Sequence, residues 1–185
     1  MDEVGVPDRR AELIAAALAD ELTDGELDEL ADLCAADPSF DFAIQQHPDG
    51  LRSSLDEWQE RATGAAHVDY GFHMAITQAD EGTFADMEPM VEEGLCTFKV
   101  FLAYKGVLMV TDDLFFRVLE RTRDLGALTM VHCENGWVID VLVERALAAG
   151  QTDPIHHAYT RPEAVEAEAT GRAVRLAEQT GAGVY

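Results

Sequence analysis

From Phe40 onward the sequence alternates short apolar runs with amphipathic stretches, and that alternation constrains the fold more than any other feature. Strand-like runs stand at Phe40–Ile44, Val68–Ile76, Cys96–Ala103 and Leu128–Cys133, and a further one begins at Gly183-Val184-Tyr185. Helical periodicity fills the intervals near Leu51–Ala62, Phe84–Glu93, Asp112–Leu125, Val138–Ala149 and Pro162–Thr180. Thr111-Asp112 reads as a helix start, and Gly94, Gly126 and Gly150 each read as a stop. The first four strands follow one another at intervals of about 27 to 33 residues, the length of one βα unit. Apolar strands alternating with helices pair in parallel and are covered on both faces. The expected class is therefore α/β, either a doubly wound sheet or a (β/α)-barrel. No GxGxxG follows the first strand and no GxxxxGK[ST] occurs anywhere, so nucleotide-binding versions of that class lose their main support.

Residues 1–38 differ in character. RRAELIAAALADELTDGELDELADLCAADP is rich in Ala, Leu and acid, and its spacing predicts two short amphipathic helices broken at Thr23-Asp24-Gly25. It carries no recognisable chemistry, and reads as a packing appendage or a partner-binding hairpin set before a second region, 39–185. Charge is lopsided throughout: 36 acidic residues face 13 basic ones, for a net charge of −23. Such a surface repels nucleic acid and anionic membranes, so neither is an expected partner. Strong acidity with few lysines suits a protein solvated in high salt, and equally an ordinary acidic cytosolic one. Cys34, Cys96 and Cys133 are odd in number and form no CxxC pair, which argues for a reducing, cytoplasmic setting. No apolar run approaches the roughly 18 to 20 residues of a membrane span, and the acidic start is unlike a signal peptide.

Within this framework LCTFKVFLAYKG stands out, because it holds both lysines of the chain, Lys99 and Lys105. Lys99 sits inside a run fit for a buried strand, where an ammonium needs a partner, a changed charge state or a path to water. In parallel α/β folds the working residues gather where strands end. His132, in LTMVHCENG, ends the next strand and lies one βα repeat from Lys99, so the two belong to adjacent strands. Taken singly, a strand-end histidine is more often a hydrogen-bonded structural residue, and a strand lysine more often snorkels. Together they suggest a site, since desolvation yields a neutral, nucleophilic amine. Schiff-base chemistry and carbamylation to a metal-bridging carboxylate both remain open on physical grounds.

The segments HVDYGFHMAIT, EEGLCTFKVFLAYKGVLMVTDD, LGALTMVHCENGWVID and TDPIHHAYTRPEAVEAEATGRAVRLAEQTGAGVY, in this order, resemble the dihydropyrimidinase/hydantoinase family of cyclic amidohydrolases. DFAIQQHPDGLRSSLDEWQERA, upstream, is similar to that family's second strand and following helix, so the resemblance runs over roughly residues 40 to 185. It implies a partial (β/α)8 barrel of about four to five βα units, with a pair of zinc ions bridged by a carbamylated lysine. Lys99 matches that lysine and His132 a histidine ligand. Tyr104 matches the catalytic tyrosine that holds the substrate's ring carbonyl. Glu134 and Asn135 would fix the turn after His132, with support of the ligand itself as the sharper role. Dihydropyrimidines or hydantoins would open to N-carbamoyl amino acids, by attack of a metal-held hydroxide on the cyclic amide.

The family pattern is incomplete. No HxH pair, which the family uses for its more buried metal, occurs in the 185 residues, and no further histidine-bearing strand follows GAGVY. Lys99 and His132 alone cannot hold a binuclear site, so the chain by itself is expected to be inactive. A non-catalytic remnant or interaction module of the same family is the alternative, and an allantoinase- or dihydroorotase-like relative fits the wording less well. Exposed barrel edges predict a homo-oligomer or other self-association. Cys133 and Trp137 depart from the residues common in the family. His73 reads as structural, His156-His157 as solvent-facing, and Lys105 as a solvated loop lysine.

Overall fold

The computed structural model describes residues 23, 39–46 and 50–185. The helical pair expected over the first 38 residues therefore lies, Thr23 aside, outside the described residues, as does Cys34. The elements in chain order are β1 (Ser39–Ile44), α1 (Leu51–Ala62), β2 (Tyr70–Ala75), α2 (Glu81–Glu92), β3 (Thr97–Phe101), α3 (Asp112–Leu125), β4 (Leu128–His132), α4 (Gly136–Ala148), α5 (Ile155–Tyr159) and α6 (Glu163–Thr180). The strands form one sheet in sequential order, β1-β2-β3-β4. β2 pairs in parallel with β3, with Ala75 beside Lys99, and β3 in parallel with β4, with Phe101 beside His132. The fold is thus α/β with a parallel four-stranded sheet.

The described residues divide between two compact units. One contains 39–41 and 62–71, where the Ser39 N–H donates to the Asp69 carbonyl over 2.8 Å and the Phe40 ring lies against Gly71. The other contains 42–46, 50–61 and 72–185, and holds every residue discussed below.

Local signals explain most element ends. Asp80 caps α2 by accepting from the Thr83 N–H, while the Thr83 hydroxyl receives the Asp80 N–H, a reciprocal capping box. That box starts the helix at Glu81, ahead of the Phe84 suggested by apolar periodicity alone. Asn135 caps α4 without that reciprocal bond, accepting from the Val138 N–H at 3.2 Å, so α4 begins at Gly136. α3 closes on Gly126 at φ 67°, a left-handed position that favours glycine. α5 has no counterpart in the sequence expectation, because five residues after Pro154 present too little periodicity to read. At the chain's end Val184 bridges Thr129 in parallel, and the Val131 N–H donates to the Tyr185 carbonyl at 2.9 Å. The last residues therefore lie along β4 as the beginning of another strand.

The sheet's two faces are unequal. Met74, Phe98 and Val100 point to a face that is fully buried against Leu51 and Leu55 of α1, Met87 and Met90 of α2, and Phe115, Val118 and Leu119 of α3. Ala169, Ala173 and Ala177 recur every four residues on α6, and their small side chains let that helix pack closely onto the same core. Burying each large apolar side chain stabilises by about 1.5–3 kcal/mol. The opposite face, bearing Phe42, His73, Lys99, Phe101 and His132, is only half-buried. Function has to be sought there.

Candidate functional site

Alternation along β3 aims Thr97, Lys99 and Phe101 at the half-buried face while Phe98 and Val100 enter the core. Parallel register then sets His132 beside Phe101 at the end of β4. Lys99 and His132 line one cleft of about 500 Å³, together with Cys133, Glu134, Glu166 and Thr170. The Lys99 ammonium lies 5.3 Å from the Phe101 ring centroid and 5.7 Å from that of Phe42. Burial lowers the Lys99 pKa, and the neighbouring Cys133 sulfur opposes the shift. Burial likewise raises the Cys133 thiol, against a Thr170 hydrogen bond and the Lys99 charge. Burial thus disfavours the charged form of both groups that share the cleft.

Tyr104 follows β3 in a left-handed conformation, φ 65°, the only positive-φ residue other than glycine among the described residues. Its carbonyl accepts from the N–H groups of Val107, Leu108 and Met109 at 3.0–3.2 Å, so a tight turn holds the unusual backbone in place. The turn lays the Tyr104 ring 5.3 Å from that of His132, with Phe101 completing the aromatic group at 5.8 Å from His132. Gly136 fastens the next turn: its N–H donates to the Leu102 carbonyl at 3.0 Å, and an added Cβ would meet the Ala103 Cα at 2.9 Å. Two loops, one after each strand, are thereby locked together at the strand ends.

Glu134 Oε2 lies 2.6 Å from His132 Nε2. Its other oxygen is 3.6 Å from Arg161 Nε, contributed by the segment between α5 and α6. Asn135 turns away from His132: it caps α4 and donates from Nδ2 to Glu168 Oε2 at 2.7 Å. Of the five residues singled out by sequence, the structure thus gathers Lys99, Tyr104, His132 and Glu134, and gives Asn135 the turn. His73 bonds Thr97 Oγ1 through Nδ1 at 2.5 Å on the same sheet face, and His156 packs edge-on against Tyr159 in α5. Lys105 is more engaged than a solvated loop lysine, lying 4.2 Å over the Trp137 ring and 3.7 Å from Asp140. Arg161, Glu166 and Thr170 carry no signal of their own in the sequence. They fall within the quoted TRPEAVEAEATG segment, and nothing in its pattern says which side chains turn toward β4.

No family model matches the chain. A D-hydantoinase from Streptomyces coelicolor is 48% identical over 145 residues, which is 78% of this chain and 31% of that protein. A dihydropyrimidinase from Arabidopsis thaliana is 50% identical over 130 residues, 70% of this chain and 24% of that protein. The crystal structure of a dihydropyrimidinase from Brevibacillus agri superposes with a TM-score of 0.79 at 44% identity, covering 84% of this chain and 34% of that one. The chain therefore spans between about a quarter and a third of the length of these relatives. It is a partial-length relative of the dihydropyrimidinase and D-hydantoinase family.

Proposed function

We propose that this chain carries one wall of a cyclic-amide hydrolase site, on a partial (β/α)8 barrel of about four to five βα units. The single observation that carries the reading is Lys99. Its amine is partly desolvated beside two aromatic rings, in a cleft shared with His132. A neutral amine is the form that takes up carbon dioxide to become a carbamate, the ligand a metal pair would share. Tyr104, whose ring lies against His132, would donate a hydrogen bond to a ring carbonyl as negative charge develops there, a role its approach to His132 supports. The substrates would be dihydropyrimidines or hydantoins, opened at a C–N bond to N-carbamoyl amino acids.

The donor set does not by itself fit the zinc pair of that reaction. Among the described residues no group of three or more His, Cys, Asp or Glu is arranged to hold a metal ion. A catalytic zinc takes about three protein ligands, and Lys99 with His132 cannot supply that for a pair. No step through the metal is assigned to this chain alone, and the reading is of a hydrolase by descent that is incomplete and inactive in isolation. Association over the half-covered sheet face, between copies or with a complementary segment, accompanies it. Among the described residues no helix is long and apolar enough to cross a membrane.

The test replaces the matching segment of the Streptomyces coelicolor protein by residues 40–185 of this chain and assays hydantoin and dihydrouracil opening. Ring opening that Lys99→Ala reduces by at least a thousandfold supports the proposal. A folded, zinc-loaded chimera without turnover supports instead a non-catalytic module of the same family. The isolated chain, assayed with zinc, is expected to retain well under one ion and to form no product. Stoichiometric zinc with turnover would overturn the claim that it is incomplete.

A further inference from the structure

Arg161 sits where nothing in the site yet accounts for it. Its side chain is four-fifths buried, and its Nε is a buried nitrogen without a hydrogen-bond partner, 3.6 Å from Glu134 Oε1. Nη1 donates to the His157 carbonyl at 3.2 Å and toward Thr160 Oγ1 at 3.4 Å, which fixes the group to the end of α5. A buried cation is costly unless paired, and Glu134 is the carboxylate it faces. Glu134 is more enclosed still, with a side-chain exposure of 14%, and its second oxygen is committed to His132 Nε2 at 2.6 Å. Arg161, Glu134 and His132 therefore form a line from the α5–α6 connection to the end of β4.

We infer that Arg161 is a positioning residue for His132, acting through Glu134. The inference rests on the reading of His132 as a site residue. A carboxylate at Nε2 holds the proton on that nitrogen and leaves Nδ1 as the ring's lone pair. Glu134 alone could turn about its terminal torsion, which is broad and nearly two-fold. The Arg161 charge, 3.6 Å from one oxygen, biases the other toward the ring, and with it the imidazole's tautomer and orientation. The geometry has a further consequence: α5, which bears no residue of the cleft itself, becomes the anchor for the histidine through the backbone carbonyl that holds Arg161.

The test is nuclear magnetic resonance of the full chain with histidine labelled in nitrogen-15, at a pH where the imidazole is neutral. A proton held between Nε2 and a clamped carboxylate exchanges slowly with water and gives a downfield resonance. The wild type is expected to show it for His132, and Glu134→Ala to lose it. Arg161→Gln is expected to speed its exchange by at least tenfold, with the circular dichroism unchanged. An Arg161→Gln protein that folds and keeps the wild-type exchange rate overturns the inference. If that variant does not fold, Arg161→Lys decides: a retained slow proton supports a charge-based clamp, and a fast one in a folded protein overturns it. The readout needs neither zinc nor turnover, so its failure is distinct from failure of the hydrolase reading.

Discussion

Lys99 shows how one side chain can be readable in sequence and still need coordinates to be understood. Its place in an apolar strand predicts desolvation, and the structure adds the two rings that line its berth. The folded pKa lies below the ordinary lysine value of 10.5. Between the two values the unfolded chain binds more protons, so this group's contribution makes stability rise with pH across that window. The penalty is fullest below the folded pKa and vanishes above 10.5. Lys99→Met should therefore be more stable than wild type at pH 7 by about 1 kcal/mol, with the difference closing as pH climbs. Denaturant melts across pH 7 to 10.5 would measure it. A gap that stays constant, or a wild type that is the more stable at neutral pH, would show that the amine is well solvated. Arg161 has no such signature in sequence. Its role depends on a carboxylate in the turn after β4, two helices earlier in the chain, and local periodicity carries no information about that approach.

At the scale of elements, α1 and α3 run between the residues their periodicity indicated, because amphipathic spacing and end signals agree there. Disagreement arises where a side-chain cap outranks apolar spacing, as with Asp80 and Asn135, or where an element is too short to have a period, as with α5. The start of α4 also carries the tightest constraint in the site. A Cβ at Gly136 would stand 2.8 Å from Met109 Sδ, 2.9 Å from Ala103 Cα and 3.0 Å from the Leu102 oxygen. Methionine sulfur can give way, but the two backbone atoms belong to the turn that holds Tyr104. Gly136→Ala should cost about 1–3 kcal/mol through overpacking, seen as a lower denaturation midpoint at unchanged slope. It should also loosen Tyr104 against His132. Gly171→Ala is the control: its Cβ would meet nothing within 4 Å, and a helix interior gains from the change. Equal destabilisation by both would show that the contact at Gly136 is not the cause.

For the molecule as a whole, charge is the dominant variable. Most described arginines already meet a carboxylate: Arg117 with Glu81 at 2.8 Å, Arg121 with Glu88 at 2.9 Å, Arg123 with Asp124 at 2.6 Å, and Arg172 with Asp112. With 36 acidic residues against 13 basic ones, such pairs still leave a net charge of −23 as surplus acid. Added salt weakens both effects. Exposed pairs contribute only about 0–1 kcal/mol each, whereas self-repulsion of the surplus acts over the whole surface at low ionic strength. Repulsion should win, so the Tm should rise with potassium chloride. The Debye length falls from about 10 Å at 0.1 M to 3 Å at 1 M, so a screening effect is largely complete below about 1 M. A rise that continues linearly to higher salt would instead report solvent exclusion from apolar surface. The same screening should promote association through the half-covered sheet face, giving a sedimentation coefficient that grows with salt over the range in which the Tm climbs. A Tm that falls or stays level up to 1 M would mean that the arginine–carboxylate pairs contribute more than the surplus acid costs.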